Sequence, residues 1–359
     1  MVTVIDLFAG CGGLSLGAAR AGLSPNLAVE LDDHAAAAHS KNFPHCKTAK
    51  LDLSKVDSAA INSLYSGRPD LVIGGPPCQG FSYIGKRNQS DPRNDLLDRF
   101  FQIVSDLKPR AFMMENVPGL LSKSSFQLLE RALQRVPSSY VVLTPSVLDA
   151  ADFGAATRRK RVLVIGYDPT DVDPISFGMI NKNRRAPATV SQALEGLPEP
   201  GTTDVAEVGL VDSPYVRFIN RRSVDLGDAC KLNAHSDCRV SGFEATKHSP
   251  EVESRFSATP QGKTEKVSRF FRLNPNEPAR TLRAGTGVDK GSFQSARPIH
   301  HVSPRVVSVR EAARIQGFPD WFDFHPTKWH SHRMIGNSVN PLFAEAILTS
   351  IARSLGVPG

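Results

Sequence analysis

Apolar residues cluster in short runs along the first 167 residues, at positions 4–8, 27–31, 71–73, 111–114, 140–143 and 162–165. Runs of this length, bounded by polar, Gly and Pro residues, predict strands buried on both faces. Between them the spacing changes to a helical period. The clearest case places Leu97, Phe100, Phe101, Val104 and Leu107 on one face and stops just before Pro109, which cannot continue a helix. Strands alternating with helices predict an α/β fold with a doubly wound, mostly parallel sheet.

From about 168 to 303 this regularity fails. Short segments are punctuated by Pro, Gly, Asn and Ser, as in Leu197-Pro198-Glu199-Pro200-Gly201 and Asn274-Pro275-Asn276. Cations here come in pairs, Arg184-Arg185 and Arg221-Arg222, which by themselves read as solvated surface. Regular pattern returns at Ser308-x-x-Glu311, a capping box ahead of Ala312, Ala313 and Ile315, with Gly317 and Pro319 ending that helix. A last helix puts Phe343, Ile347 and Ile351 on one stripe. The expected plan is one α/β domain, residues 1–198 plus 304–359, interrupted by a smaller irregular domain at 199–303.

Composition narrows the classes. No apolar run approaches the ~18 residues a membrane helix needs. The N-terminus enters a strand pattern with no basic or apolar leader, which predicts a cytoplasmic protein. The five cysteines (11, 46, 78, 230 and 238) are odd in number and form no C-x-x-C pair, so neither a disulfide framework nor a metal site is expected. Lys and Arg outnumber Asp and Glu by 43 to 36, which permits a polyanionic partner.

The first candidate chemistry lies at Asp6-Leu7-Phe8-Ala9-Gly10-Cys11-Gly12-Gly13-Leu14, a strand, a glycine turn and a helix start. Glycines let a backbone approach a ligand and open a helix N-terminus toward it. Glu30, twenty residues after Gly10, stands where an acidic side chain can bind both hydroxyls of a ribose. Asp52 is placed to contact an adenine amino group. A tight turn with no ligand is the plain alternative, and a dinucleotide site is another. Ser15, however, stands where G-x-G-x-x-G wants its third glycine. An adenosine ligand without a pyrophosphate fits better, and S-adenosylmethionine meets that description.

The second lies at Gly74-Gly75-Pro76-Pro77-Cys78-Gln79, after the strand at 71–73. A lone cysteine is usually an inert small hydrophobe. On a rigid turn at the ligand edge of an open sheet, Cys78 reads instead as a nucleophile. Glu115 ends the strand at 111–114 and becomes a candidate acid at the same edge. Arg159-Lys160-Arg161 opens the strand at 162–165; alone it would read as solvated charge.

Taken together, Phe8-Ala9-Gly10, Pro76-Pro77-Cys78-Gln79, Glu115-Asn116-Val117, Arg159-x-Arg161 and Gly336-Asn337-Ser338-Val339 resemble successive motifs of DNA (cytosine-5) methyltransferases of the bacterial restriction-modification type. Thr281-Leu282 and Arg310-Glu311-x-Ala313 with Gly317-Phe318-Pro319 extend the resemblance, which frames the chain from residue 5 to about 343.

The resemblance implies a Rossmann-like methyltransferase fold, S-adenosylmethionine as cofactor and double-stranded DNA as partner. It makes Cys78 the nucleophile at cytosine C6, Glu115 the group acting at N3, and Arg161 with Arg159 the holders of the base carbonyl O2. Phe8, Glu30, Asp52, Pro76, Asn337 and Ser338 would line the cofactor pocket, with Gly10 and Gly12 nearby. Residues 199–303 would read the DNA sequence. A monomer in the cytoplasm of a bacterium or encoded by a phage, paired with a cognate restriction endonuclease, completes the picture. A transfer-RNA cytosine-5 methyltransferase of the DNA-enzyme-like type is the second reading; it shares the cysteine and Glu-Asn-Val motifs.

Two departures from the family pattern stand out. Thr157 occupies the place of a usual glutamine, with a shorter reach. Asn340 replaces a common proline, a change expected to matter little.

Overall fold

Five parallel strands form the spine of the computed structural model, which describes residues 1–56, 58–77, 95–209, 212–221, 239–285 and 297–358. They are β1 (Thr3–Leu7), β2 (Ser24–Glu30), β3 (Lys47–Lys50), β4 (Leu71–Gly74) and β5 (Ala111–Asn116). Three more, β6 (Val141–Val142), β7 (Ser146–Asp149) and β8 (Lys160–Tyr167), complete an eight-stranded sheet of order β3-β2-β1-β4-β5-β8-β6, with β7 also on β8. The strand order turns back beside β1, which is where open α/β sheets bind ligands at their carboxyl ends.

The sheet is mostly parallel, as the pattern predicts. Its exception is consequential: β8 runs antiparallel to β5, pairing Glu115 with Leu163 and Asn116 with Val162. The start of β8 therefore lies at the carboxyl edge of β5. β3 escaped the hydrophobic pattern because Lys-Thr-Ala-Lys is an edge strand with no apolar run. The strand expected at 140–143 shrinks to two residues.

Alternation along each strand divides the core. Ile5, Leu7, Val72, Phe112 and Met114 face one layer, which holds α3 (Ser58–Leu64), α4 (Asp95–Leu107) and α5 (Lys123–Leu133). Val4, Leu71, Ile73 and Met113 face the other, with α1 (Gly13–Arg20) and the C-terminal helix Pro341–Ser354. The predicted stripe of α4 is buried at every position named. Gly17 lets α1 and the C-terminal helix touch, because a β-carbon there would lie 2.4 Å from that of Ala344.

Asn340, expected to matter little, instead caps the C-terminal helix. Its Oδ1 accepts from the amides of Leu342 and Phe343, and its Nδ2 donates to Gln316 O at 2.8 Å. Proline could supply neither contact.

Within residues 199–303, an antiparallel ribbon pairs Val205–Glu207 with Arg239–Ser241, and Phe256 packs on Ile299 and, just past the segment, on Val306. Leu273, Ala279 and Leu282 join the cluster of Ala312, Ile315 and Ile335. Where the chain leaves and returns, Arg305 binds both Glu199 (Nε to Oε1, 2.5 Å) and Glu311 (Nη2 to Oε1, 2.8 Å). Among the described residues no helix is long and apolar enough to cross a membrane.

Candidate active site

The loop after β1 is built from positive-φ residues: Phe8 (60°), Gly10 (59°) and Gly12 (103°). A bulky residue such as Phe8 rarely adopts this conformation, and strain of this kind gathers at functional sites. Gly10 faces open space, since a β-carbon there would meet nothing within 4 Å. Gly12, expected near the ligand, stands between Cys11 and Gly13, which line the cleft, without lining it itself; a β-carbon on it would strike the Phe43 ring at 2.3 Å.

Glu30, at the end of β2, holds this loop. Its Oε2 accepts from Gly10 N at 2.8 Å, and its Oε1 from Leu31 N and Asp32 N at 2.9 and 2.8 Å. Burial raises its carboxyl above the usual range, and the three amides partly offset this. Oε1 is filled by its two amides, while Oε2, with one, keeps a further acceptor position for a ligand hydroxyl. Asp52 follows β3, held by Ser54 through N (3.0 Å) and Oγ (2.6 Å), bonds that keep its carboxyl below the usual range.

The C-terminal segment forms the facing wall. Gly336 and Asn337 end the helix Lys328–Asn337. Ser338 Oγ donates to Met334 O and lies 3.1 Å from Cys11 Sγ. A β-carbon at Gly13 would sit 2.3 Å from Val339 O, which shows how closely the two segments fit. Between these walls lies a cleft of about 600 Å³, lined by Phe8, Gly10, Glu30, Asp52, Pro76, Glu115, Arg159, Arg161, Asn337 and Ser338. Residues expected in the cofactor and catalytic sets, Gly12 and Cys78 apart, thus share one cavity. Cys78 lies outside the described residues.

The loop toward Cys78 is nonetheless placed. Asn116 Nδ2 donates to Pro76 O at 3.2 Å, and a β-carbon at Gly75 would be 3.2 Å from Glu115 Oε2. Glu115 and Asn116, ending β5, thus brace the turn that follows β4. Asn116 belongs to the Glu115-Asn116-Val117 motif, but spacing alone cannot reveal this bond. Leu31, His330 and Arg333 also line the cleft and carried no sequence signal.

Period-2 alternation puts Arg159 and Arg161 on the same face, both buried, while Lys160 is exposed. Arg161 Nε lies 2.5 Å from Glu115 Oε1, a charge contact off the hydrogen-bond line, and its Nη1 donates to Lys160 O at 2.7 Å. Arg159 reaches elsewhere. Its Nη1 donates to Leu282 O (3.2 Å) and its Nη2 to Gly336 O (2.9 Å), so it ties β8 to both facing segments. Burial, reinforced by Arg161, makes its charge costly to hold; Glu115 partly compensates. Thr157 is fully buried and donates to Arg280 O at 3.3 Å, away from the cleft.

Comparison with known proteins agrees with this geometry. The model of the C-5 cytosine-specific DNA methylase family matches residues 2–353. The Type II methyltransferase M.XorII of Xanthomonas oryzae pv. oryzae is 39% identical, over 98% of this chain and 84% of the relative. M1.HphI of Haemophilus parahaemolyticus, also a Type II methyltransferase, is 30% identical over 98% and 87%. A solved structure, described as a DNA modification methyltransferase encoded within an E. coli prophage, superposes with a TM-score of 0.86 at 38% identity, covering 99% of both chains. With a matching family model along nearly its whole length and a cleft assembled from the expected motifs, the chain belongs to the C-5 cytosine-specific DNA methylases and is a DNA cytosine-5 methyltransferase of the restriction-modification type.

Proposed function

We propose that the chain methylates C5 of a cytosine flipped out of a specific double-stranded DNA sequence, using S-adenosylmethionine and a transient bond from Cys78 to C6. One observation carries this reading: Glu115, Arg161 and the Gly75–Pro77 backbone share a cleft with Gly10, Glu30, Asp52 and Asn337. A nucleoside site and an acid site are thereby joined.

The cleft fits the cofactor. Gly10 leaves a cradle open, Glu30 Oε2 retains an acceptor position for a ribose hydroxyl, and Asp52 can accept from an adenine amino group. When bound, S-adenosylmethionine supplies an electrophilic methyl group.

The residues of the chain do the rest. Cys78 thiolate adds to C6, and the C5–C6 π electrons shift toward C4 and N3, leaving C5 enamine-like. Glu115 meets the charge developing at N3 with a proton or strong hydrogen bond. Arg161, 2.5 Å from Glu115 and lining the same cleft, would orient it and hold the base carbonyl O2. Once C5 carries the methyl group, its proton passes to solvent as base, the C5–C6 double bond re-forms, N3 returns its proton to Glu115 and the thiolate departs. Arg159, with both terminal nitrogens on backbone carbonyls, acts as a positioning residue.

A stacked cytosine exposes neither face of its ring, which is why the base must leave the duplex. Residues 199–303 then choose the site, while 1–198 and 304–359 perform the chemistry. The same reading makes the enzyme a cytoplasmic monomer that works alongside a cognate endonuclease; the Type II relatives support that pairing. They also favour DNA over transfer RNA. Bisulfite sequencing of plasmid DNA after expression, with labelled-methyl transfer to plasmid against transfer RNA, tests the whole reading. Transfer to RNA alone would overturn it.

A further inference from the structure

Beneath the Gly10–Gly12 turn runs an unbroken chain of side-chain hydrogen bonds. Ser15 Oγ donates to Asp6 Oδ2 at 2.6 Å and lies 2.9 Å from His39 Nε2; His39 Nδ1 is 2.8 Å from Thr48 Oγ1. Asp6, Ser15 and His39 are fully buried. Counting protons orders the chain. The one hydroxyl proton of Ser15 goes to Asp6, so His39 Nε2–H donates to Ser15 and Thr48 donates to Nδ1. Burial drives the His39 ring down to about 3, so it is neutral at working pH. Every donor points toward Asp6, which suits a carboxylate at the end of the chain.

The four residues sit on β1, α1, α2 (Asp33–Asn42) and β3. These elements lead into or out of the three cofactor contacts: the Phe8–Gly12 turn, Glu30 and Asp52. His39 also supports the turn directly. A β-carbon on Gly12 would come within 3.0 Å of its ring, which stacks on Phe43 at 4.5 Å. Ser15 thus occupies the third-glycine place of a dinucleotide fold with a hydroxyl that joins two neighbours.

We propose that Ser15 is a positioning residue whose chain to Asp6, His39 and Thr48 holds the cofactor turn in register and couples cofactor affinity to the ionisation of Asp6. This rests on the S-adenosylmethionine reading above. The groups facing Asp6 are Ser15 from α1, His39 beyond it from α2, Glu30 from β2 and Cys46 ahead of β3; its β4 neighbour, Ile73, is apolar. Burial raises the Asp6 carboxyl to about 7; Glu30 adds to the rise and the Ser15 bond opposes it. Burial pushes the Cys46 thiol to about 12, so it stays neutral. Asp6 Oδ1 has no hydrogen-bond partner among the described residues, which leaves Ser15 as the main hold on the carboxylate. Above the transition Asp6 is charged and the donors are aligned. Below it Asp6 takes a proton, the charged end of the chain is lost, and the turn loosens. Affinity therefore rises with pH.

Calorimetric titration with S-adenosylmethionine and with S-adenosylhomocysteine, from about pH 6 to about 8.5, tests this on wild type, Ser15→Ala and Asp6→Asn. Wild type should bind both ligands more tightly as pH rises, by no more than about tenfold per unit for one coupled proton. The second ligand lacks the sulfonium charge, so a shared profile points to positioning. Ser15→Ala removes the bond that lowers Asp6 and should move the midpoint to higher pH; Asp6→Asn should be flat. Should Asp6→Asn not fold, Thr48→Val, at the far end of the chain, should shift the midpoint the same way by less. A flat wild-type profile, or a Ser15→Ala loss equal at every pH, overturns the proposal. Failure of both ligands to bind wild type at any pH would defeat the cofactor reading itself, and this inference with it.

Discussion

Arg161 Nε stands 2.5 Å from Glu115 Oε1, and the two residues are carried by antiparallel neighbours, β8 and β5. Because β8 begins where β5 ends, a cation at the start of one strand meets a carboxylate near the end of the other. Neither side chain can be altered without changing the other's surroundings. Arg161→Ala and Glu115→Gln should each lower kcat by about 10²–10³-fold, as loss of a charged active-site donor does. The double variant should fall well short of their product, because both remove one unit. Steady-state methyl transfer checks this; fully multiplicative losses would separate the two roles.

Thr157 points the other way, to Arg280 O. Thr157→Ala should leave kcat near wild type and cost on the order of 1 kcal/mol of stability, the usual worth of one hydrogen bond. Thr157→Ala as inactive as Arg161→Ala would show that this ordering of roles is wrong.

Cys78→Ser should abolish turnover while cofactor binding survives, since a hydroxyl is a far poorer nucleophile toward C6 than a thiolate. Labelled-methyl transfer and calorimetry read the two halves separately. Normal methylation by this variant would remove Cys78 from the mechanism.

Asn340→Ala removes a helix cap and leaves Gln316 O without its donor. A loss of about 1–3 kcal/mol is expected from the two effects. Urea denaturation measures it; an unchanged midpoint would restore the view that this position is neutral.

Burial holds the His300 ring down to about 4, with Glu311 partly opposing. The unfolded chain takes up this proton near the ordinary value of about 6.5 and the folded chain does not. The unfolded state therefore binds more protons below that pH. The contribution is fully present above about 6.5 and is lost as pH falls toward 4, at most about 1.4 kcal/mol per unit. His300→Asn, whose Oδ1 can take the place of Nδ1 and still accept from the Ser303 and Val302 amides, should show a shallower acid slope in denaturation curves. Parallel slopes would exclude His300 as a source.

Much of this was legible because local pattern and global fold agree. Buried strands are apolar runs, α4 is an amphipathic stripe ended by Pro109, and the Ser308–Glu311 box caps its helix as written. What escaped has a common cause. β3 is polar because it stands at the edge of the sheet formed by the described residues, and Asn340 looks neutral until Gln316 is brought beside it. A role that depends on a partner distant in sequence leaves no local periodic trace.

The sequence by itself determined the type of the apolar strands and amphipathic helices, the glycine turn, the order of the motifs and therefore the family, since each depends on residues within a few positions of one another. Tertiary structure alone decided the direction of β8, and with it the meeting of Arg161 and Glu115. It also turned Arg159 toward Leu282 and Gly336 and joined Asp6, Ser15, His39 and Thr48 into one buried chain. Strand direction and side-chain convergence are set by packing the two layers against the sheet. That packing depends on contacts between residues tens to hundreds of positions apart, which spacing along the chain cannot encode.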